Sequence, residues 1–132
     1  PDPVGLVLFS PEVELSFADA SITENAGKDI LPWNIPVAPY LHGVDPLGPR
    51  VDPLHDDVSQ YPPTFVAFGD DEMFRDPIRH FVARLRDAEV PVTVIEEEGM
   101  FHVYPFLMPW SDASRRVFVD VGKFIVDCLP ED

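Results

Sequence analysis

TFVAFGDDEMFRDPIRHFVARLRDAEVPVTVIEEEGMFH, residues 64–102, is the stretch whose reading decides the fold. Its opening, Thr64 to Phe68, is a short apolar run of β-formers that stops at Gly69, where the acidic turn Asp70, Asp71, Glu72 begins. A helix is expected at once. Asp76 stands where a side chain can cap free amides, Pro77 suits a first helical turn, and Ile78, Phe81, Val82 and Leu85 recur at helical spacing to make one buried stripe. Val92 to Ile95 is a second β-rich run, ended by Glu96, Glu97, Glu98 and Gly99, with His102 just beyond the glycine. Strand, helix and strand at these separations predict a parallel βαβ unit, whose two strands end at the same sheet edge. The groups that follow them converge there, so Glu72 and His102 are expected to meet.

Upstream, Gly5 to Phe9 (GLVLF) is a continuous apolar run, the pattern of a strand covered on both faces in a parallel sheet. From Glu12 to Gln60 prolines, glycines and aspartates recur every few residues, which predicts loops with short helical turns. Ser21 to Asp29 can hold one short helix, with Ser21 as cap and Glu24 at the capping-box position. Pro32 to Pro36 and Pro39 to Leu41 set large apolar groups among residues that forbid regular structure. They fit the wall of a pocket and a satellite core equally well. Downstream of His102 a proline-bounded loop (YPFLMPW) leads to a helix opening at Ser111 and running to about Leu129, with Val117, Phe118, Val121, Phe124, Ile125 and Cys128 as its buried stripe. The order specifies an α/β fold: a three-stranded parallel sheet, Gly5–Phe9, Thr64–Phe68 and Val92–Ile95, with flanking helices.

The sequence has 132 residues, the size of one ordinary domain, and 45% of them are hydrophobic and spread throughout, as in a globular chain. Its formal net charge of −15 repels phosphate backbones and anionic lipid, which argues against nucleic-acid and membrane-surface binding. No apolar run has the length of a membrane span. Cys128 is the one cysteine, so no intrachain disulfide forms, and a cytoplasmic location with a buried, inert thiol is expected. His42 and His55 lack spaced metal-ligand partners, His80 rides the solvent side of the middle helix, and no metal site is expected. The chain opens Pro1-Asp2-Pro3, with neither a start methionine nor a signal segment, which suggests a fragment.

A histidine and a carboxylate at one edge of a parallel sheet are the two supporting members of a nucleophile, histidine and acid triad. The imidazole shuttles a proton near neutral pH while the acid fixes its tautomer. A loop histidine beside a surface carboxylate fits the same spacing.

The words FSPEVEL, RVDPL, YPPTFVAFGDDEMFRD and EEEGMFHVYP, in this order and at these separations, resemble the C-terminal portion of α/β-hydrolases of the hormone-sensitive-lipase-like esterase/lipase family. The resemblance covers nearly the whole chain. In that family the acid follows one strand in a D-P-L-x-D type turn and the histidine follows the next in a G-x-x-H type loop. Matching Arg75 and Asp76 puts Glu72 at the acid position, where the family usually has aspartate, and Gly99 to His102 at the histidine loop. Asp71 is the rival acid, and the separation of 30 residues between Glu72 and His102 favours Glu72. Phe101 and Trp33 are candidate substrate-binding residues.

The resemblance implies a serine carboxylic-ester hydrolase that works through an acyl-enzyme on a small-molecule ester, with no metal or organic cofactor. The nucleophile is missing: no serine here sits in a G-x-S-x-G elbow, and no glycine-rich oxyanion loop occurs. In the family both lie upstream, so the chain reads as about the last third of an enzyme. Alone it is expected to be inactive, and to need the remainder of the hydrolase domain or self-association through the strand edge at Gly5–Phe9. The competing reading is a non-catalytic ligand-binding or interaction fragment on a hydrolase scaffold.

Overall fold

The computed structural model describes residues 2–32, 34–48 and 51–130. Three strands, β1 (Leu6–Phe9), β2 (Thr64–Gly69) and β3 (Val92–Glu97), form one parallel sheet in the order β1-β2-β3. The short helices α1 (Ala20–Glu24) and α2 (Val37–Leu41) interrupt the long excursion after β1. Helix α3 (Arg75–Asp87) joins β2 to β3, and α4 (Tyr104–Leu107) and α5 (Asp112–Cys128) follow. This is the expected α/β arrangement, with the predicted strands in the predicted order; β1 begins at Leu6 rather than Gly5, β2 runs on to Gly69 and β3 to Glu97.

Strand β2 is central and buried along its whole length, and its alternation sorts its side chains between two cores. Phe65 and Ala67 pack with Tyr104, Ala113 and Val117 from α4 and α5. Val66 and Phe68 pack on the opposite face with Ile78 and Val82 of α3, Ile22 of α1, and Met73 and Phe74 between. The remaining members of the α3 stripe, Phe81 and Leu85, close a third cluster with Val13, Leu54 and Val58 from the excursion and with Val90. Leu85 is fully buried, and truncating such a residue to alanine costs about 2–5 kcal/mol.

Helix ends depart from the sequence expectation in instructive ways. Asp76 does not cap α3; it lies inside the first turn, where its carboxylate accepts from the Ser21 amide and from Arg75. Ser21 does not cap α1, whose N-cap is Asp19; its hydroxyl instead donates to the Met73 carbonyl and accepts from the Asp76 amide. Both side chains were claimed by partners 55 or 52 residues away. At its far end α3 closes with Glu89 in the left-handed region, the Val90 amide reaching the Leu85 carbonyl and the Glu89 amide that of Arg86, a Schellman closure that does without glycine. Ser111 caps α5 as expected, accepting from the Ser114 amide at 3.1 Å.

Two expectations of burial are corrected. β1 is half-buried rather than covered on both faces, because the sheet order leaves it at an edge among the described residues. On α5 only Val117 of the predicted stripe is fully buried; Val121, Phe124 and Cys128 are half-buried, and Phe118 and Ile125 are exposed. The outer part of that stripe lies beyond what a three-stranded sheet can cover. No helix among the described residues is long and apolar enough to cross a membrane.

The most confined point lies where β2 ends. A Cβ on Gly69 would stand 1.9 Å from the Met100 carbonyl oxygen and 2.3 Å from its carbon, both backbone atoms that cannot swing aside. Replacing Gly69 with alanine is therefore expected to push the loop after β3 away from the turn after β2. Urea denaturation should show a loss in the range of overpacked sites, about 1–3 kcal/mol or more, whereas Gly27→Ala, with open space around it, should change little.

Candidate active site

The strand ends carry the site. Beyond β2 and β3 the ladder continues into the loops: the Asp70 amide donates to the Glu97 carbonyl, the Asp71 amide to the Met100 carbonyl, and the Gly99 amide to the Asp70 carboxylate at 2.6 Å. These contacts hold the acidic turn against the histidine loop. They also turn Glu72 inward, where it is fully buried, while Asp71 faces out and pairs with Lys28 at 3.0 Å.

One oxygen of the Glu72 carboxylate accepts a hydrogen bond from the Ser10 hydroxyl. Ser10 follows β1, is tied to the sheet by its amide to the Ala67 carbonyl at 2.8 Å, and holds a left-handed backbone at φ 47°. The same hydroxyl accepts the Val103 amide at 2.9 Å, so a single oxygen joins the end of β1, the acid and the residue after His102. The other Glu72 oxygen has no partner among the described residues, and neither has Nδ1 of His102. The direct hydrogen bond expected between Glu72 and His102 is thus not made. The imidazole is held instead by its surroundings: its ring packs edge-on to Phe74 with centroids 5.5 Å apart, and its backbone amide donates to the Asp29 carboxylate at 2.9 Å.

Three residues of this assembly, Ser10, Asn25 and Asp29, escaped the sequence reading. Asn25 is buried and donates through Nδ2 to the carbonyls of Asp70 and Glu72, fixing the acidic turn from the side of α1. Asp29 accepts from the amides of Ile30, Met73 and His102. They are single polar side chains in proline-broken loops, without periodicity or motif spacing to mark them.

Burial dominates the electrostatics. It pushes the Glu72 carboxyl up to about 7, with the Ser10 hydrogen bond opposing and the Asp29 charge reinforcing the rise. It pushes the His102 imidazole down, and there the Asp29 charge opposes. Both shifts favour the neutral forms, as burial does for two groups that do not hydrogen-bond to each other.

Other sequence candidates fall elsewhere. Phe101 is half-buried against the cluster of Phe65, Tyr104 and Val117. Trp33 lies outside the described residues. His42 is exposed, His80 is exposed with Nδ1 3.4 Å from Asp19, and the exposed His55 pairs with the buried Asp52 at 2.7 Å. Cys128 is half-buried rather than sequestered, its sulfur 3.0 Å from where a Gly5 side chain would begin. In the excursion Leu31 and Ile35 pack on the first core cluster and Leu41 is buried, whereas Tyr40 is 74% exposed over an open groove with Glu12, Leu15 and Pro36.

Residues 1–106 match the alpha/beta hydrolase fold family. An acetyl-hydrolase from Streptomyces hygroscopicus is 31% identical over 129 residues, 95% of this chain and 43% of that protein. An esterase from Acinetobacter venetianus (strain RAG-1) is 29% identical over 127 residues, 92% of this chain and 42% of that protein. Among solved structures, an esterase from the bacterial hormone-sensitive lipase family superposes with a TM-score of 0.90 at 26% identity, over 98% of this chain and 45% of that one. An esterase/lipase from an uncultured bacterium gives 0.87 at 25% identity, over 97% and 44%. The chain thus spans less than half the length of the relatives it matches, more than the one third expected from the motifs.

The raised Glu72 carboxyl makes a signed prediction. Folded protein holds this proton where unfolded chain, with an ordinary value of 4.5, has released it. The group's contribution to stability is therefore complete below about 4.5 and is lost as pH rises through about 7, with a slope of at most about 1.4 kcal/mol per pH unit. Urea midpoints from pH 4 to 8 should fall more steeply for the parent than for Glu72→Gln. Parallel curves would show that Glu72 titrates normally.

Proposed function

The chain belongs to the α/β-hydrolase fold family, on its hormone-sensitive-lipase-like branch, and from that premise we propose that the protein carrying it is a serine carboxylic-ester hydrolase to which this segment contributes the histidine and the acid. The observation that carries the reading is the pairing of open valences at the strand edge. Glu72 is buried with one oxygen engaged by Ser10 and the other without a partner among the described residues, and the neighbouring loop presents His102 with Nδ1 likewise unpartnered among them. A buried carboxylate oxygen and a buried ring nitrogen that both lack partners each carry a desolvation cost, roughly 1–3 kcal/mol, which their mutual hydrogen bond relieves. The proposed active form makes that bond.

In the proposed reaction Nδ1–H of His102 donates to Glu72, which fixes the tautomer and leaves Nε2 as the base. Nε2 takes the proton of a serine supplied from outside this chain as that serine adds to the ester carbonyl. It then returns the proton to the departing alcohol, leaving an acyl-enzyme. Nε2 then takes a proton from the water that adds to the acyl carbonyl and returns it to the serine oxygen as the C–O bond to the serine breaks, which releases the acid and restores the serine. The hydrogen bond from Nδ1–H favours the charged carboxylate and offsets the rise that burial alone produces, so Glu72 is ionised in the proposed active form and stabilises the imidazolium, a task to which its extra methylene relative to aspartate is no bar. Esters of short acyl chains are the proposed substrates, a reading supported by the esterase and the acetyl-hydrolase among the relatives.

The full-length protein is expected to hydrolyse a short-chain p-nitrophenyl ester. His102→Ala and Glu72→Ala should each lower kcat/KM by roughly 10⁴-fold, and Asp71→Ala should stay near the parent. A folded His102→Ala variant within about tenfold of the parent, or ligand binding without turnover in the parent, would contradict the assignment.

A further inference from the structure

We propose that Asp29 is a positioning residue for the acid and the base, a carboxylate that docks the turn after β2 and the loop after β3 onto one another through their backbone amides. The proposal rests on the reading of Glu72 and His102 given above. Asp29 comes from neither strand end; it lies just past α1, 44 residues before Met73 and 73 before His102. Its two oxygens divide the work. Oδ2 accepts the Met73 amide at 2.8 Å, next to the acid, and Oδ1 accepts the amide of His102 itself at 2.9 Å. Oδ1 also accepts the Ile30 amide at 2.7 Å, which anchors the carboxylate to its own loop. That loop is fixed in turn, because the Lys28 and Asp29 amides both donate to the Asn25 carbonyl while Asn25 grips the acidic turn.

The arrangement complements the Ser10 hydroxyl. Ser10 joins the Glu72 side chain to the Val103 amide, and Asp29 joins the Met73 amide to the His102 amide, so adjacent residues of each loop are tied through two separate bridges. Displacement of either loop stretches both. The hydrogen-bonding pattern also separates the two carboxylates by role. Three backbone donors engage Asp29 and leave it no evident need of the imidazole, whereas Glu72 keeps an oxygen without a partner among the described residues. Asp29 therefore places the imidazole and adds a negative charge near it, and Glu72 is left to receive Nδ1–H. Amides donating to an anionic acceptor make the stronger class of hydrogen bond, which suits a joint that must hold a reactive geometry. Asparagine cannot replace it, since its NH2 would confront one of the amide donors.

The test uses the full-length protein and Asp29→Asn. With the melting transition retained, kcat is expected to fall about 100-fold, the scale of a misplaced catalytic group, with KM little changed. Amide hydrogen exchange at Met73 and His102 should accelerate together, and the His102 imidazole should titrate at lower pH once the opposing charge is gone. The two NMR readouts do not depend on turnover, so an inactive parent would count against the hydrolase reading while they still decide the role of Asp29. Should the variant not fold, through-hydrogen-bond coupling from the Asp29 carboxylate to the Met73 and His102 amides in the parent decides it. Unchanged exchange and unchanged titration, or absent couplings, would overturn the proposal. So would a loss as large as that of His102→Ala, which would make Asp29 the orienting acid.

Discussion

Everything at this site depends on how closely two loops approach beyond the ends of β2 and β3. Parallel pairing brings Gly69 opposite Glu97, and the hydrogen bonds from Asp70 to Glu97 and from Asp71 to Met100 carry the pairing past the sheet into irregular chain. The approach is possible because residue 69 has no side chain to meet the Met100 backbone. Parallel strands expose their ends at a common edge in any α/β sheet. Here the added contact fixes the direction in which the acidic turn leaves the sheet, and hence which of its carboxylates enters the protein. Glu72 enters and Asp71 faces Lys28.

Around that junction the chain combines an apolar frame with polar ties. The frame is β2, whose alternating side chains root it in cores on both faces, so the strand end moves only if those cores do. The ties are Ser10, Asn25 and Asp29, all drawn from the excursion between β1 and β2. They come at a cost: Ser10 and Val103 both hold left-handed backbones, at φ 47° and 50°, a conformation that disfavours residues with a Cβ. A fully buried carboxyl at 0% exposure and a ring nitrogen without a partner among the described residues add to that cost. Strain and unmet polarity gathered at one edge are typical of places where geometry serves chemistry rather than stability.

The sequence made the frame legible because periodicity reports burial directly. The Thr64–Phe68 run, the Ile78–Leu85 stripe and the glycine before His102 could each be assigned without reference to the rest of the chain. The ties could not, since Ser10 meets Glu72 across 62 residues and Asp29 meets His102 across 73, with nothing local to mark either. Ser21 and Asp76 show the same limit from the other side. Each looked like a helix cap, and each was taken by a distant partner with a better-placed donor or acceptor. Helix α5 shows that a stripe states which face is apolar and not how much of it is covered, since Val117 is buried and Ile125 of the same stripe is exposed.

In the proposed full-length enzyme it is Glu72, not its neighbour, that receives the Nδ1–H of His102. The most direct measurement is the low-field proton NMR signal of the His102 Nδ1–H in the full-length protein, recorded for the parent, Glu72→Ala and Asp71→Ala. A hydrogen bond from this proton to a buried carboxylate shields it from exchange and moves it downfield. The account predicts a signal that is present in the parent, kept in Asp71→Ala and lost in Glu72→Ala. A signal kept in Glu72→Ala and lost in Asp71→Ala would contradict it.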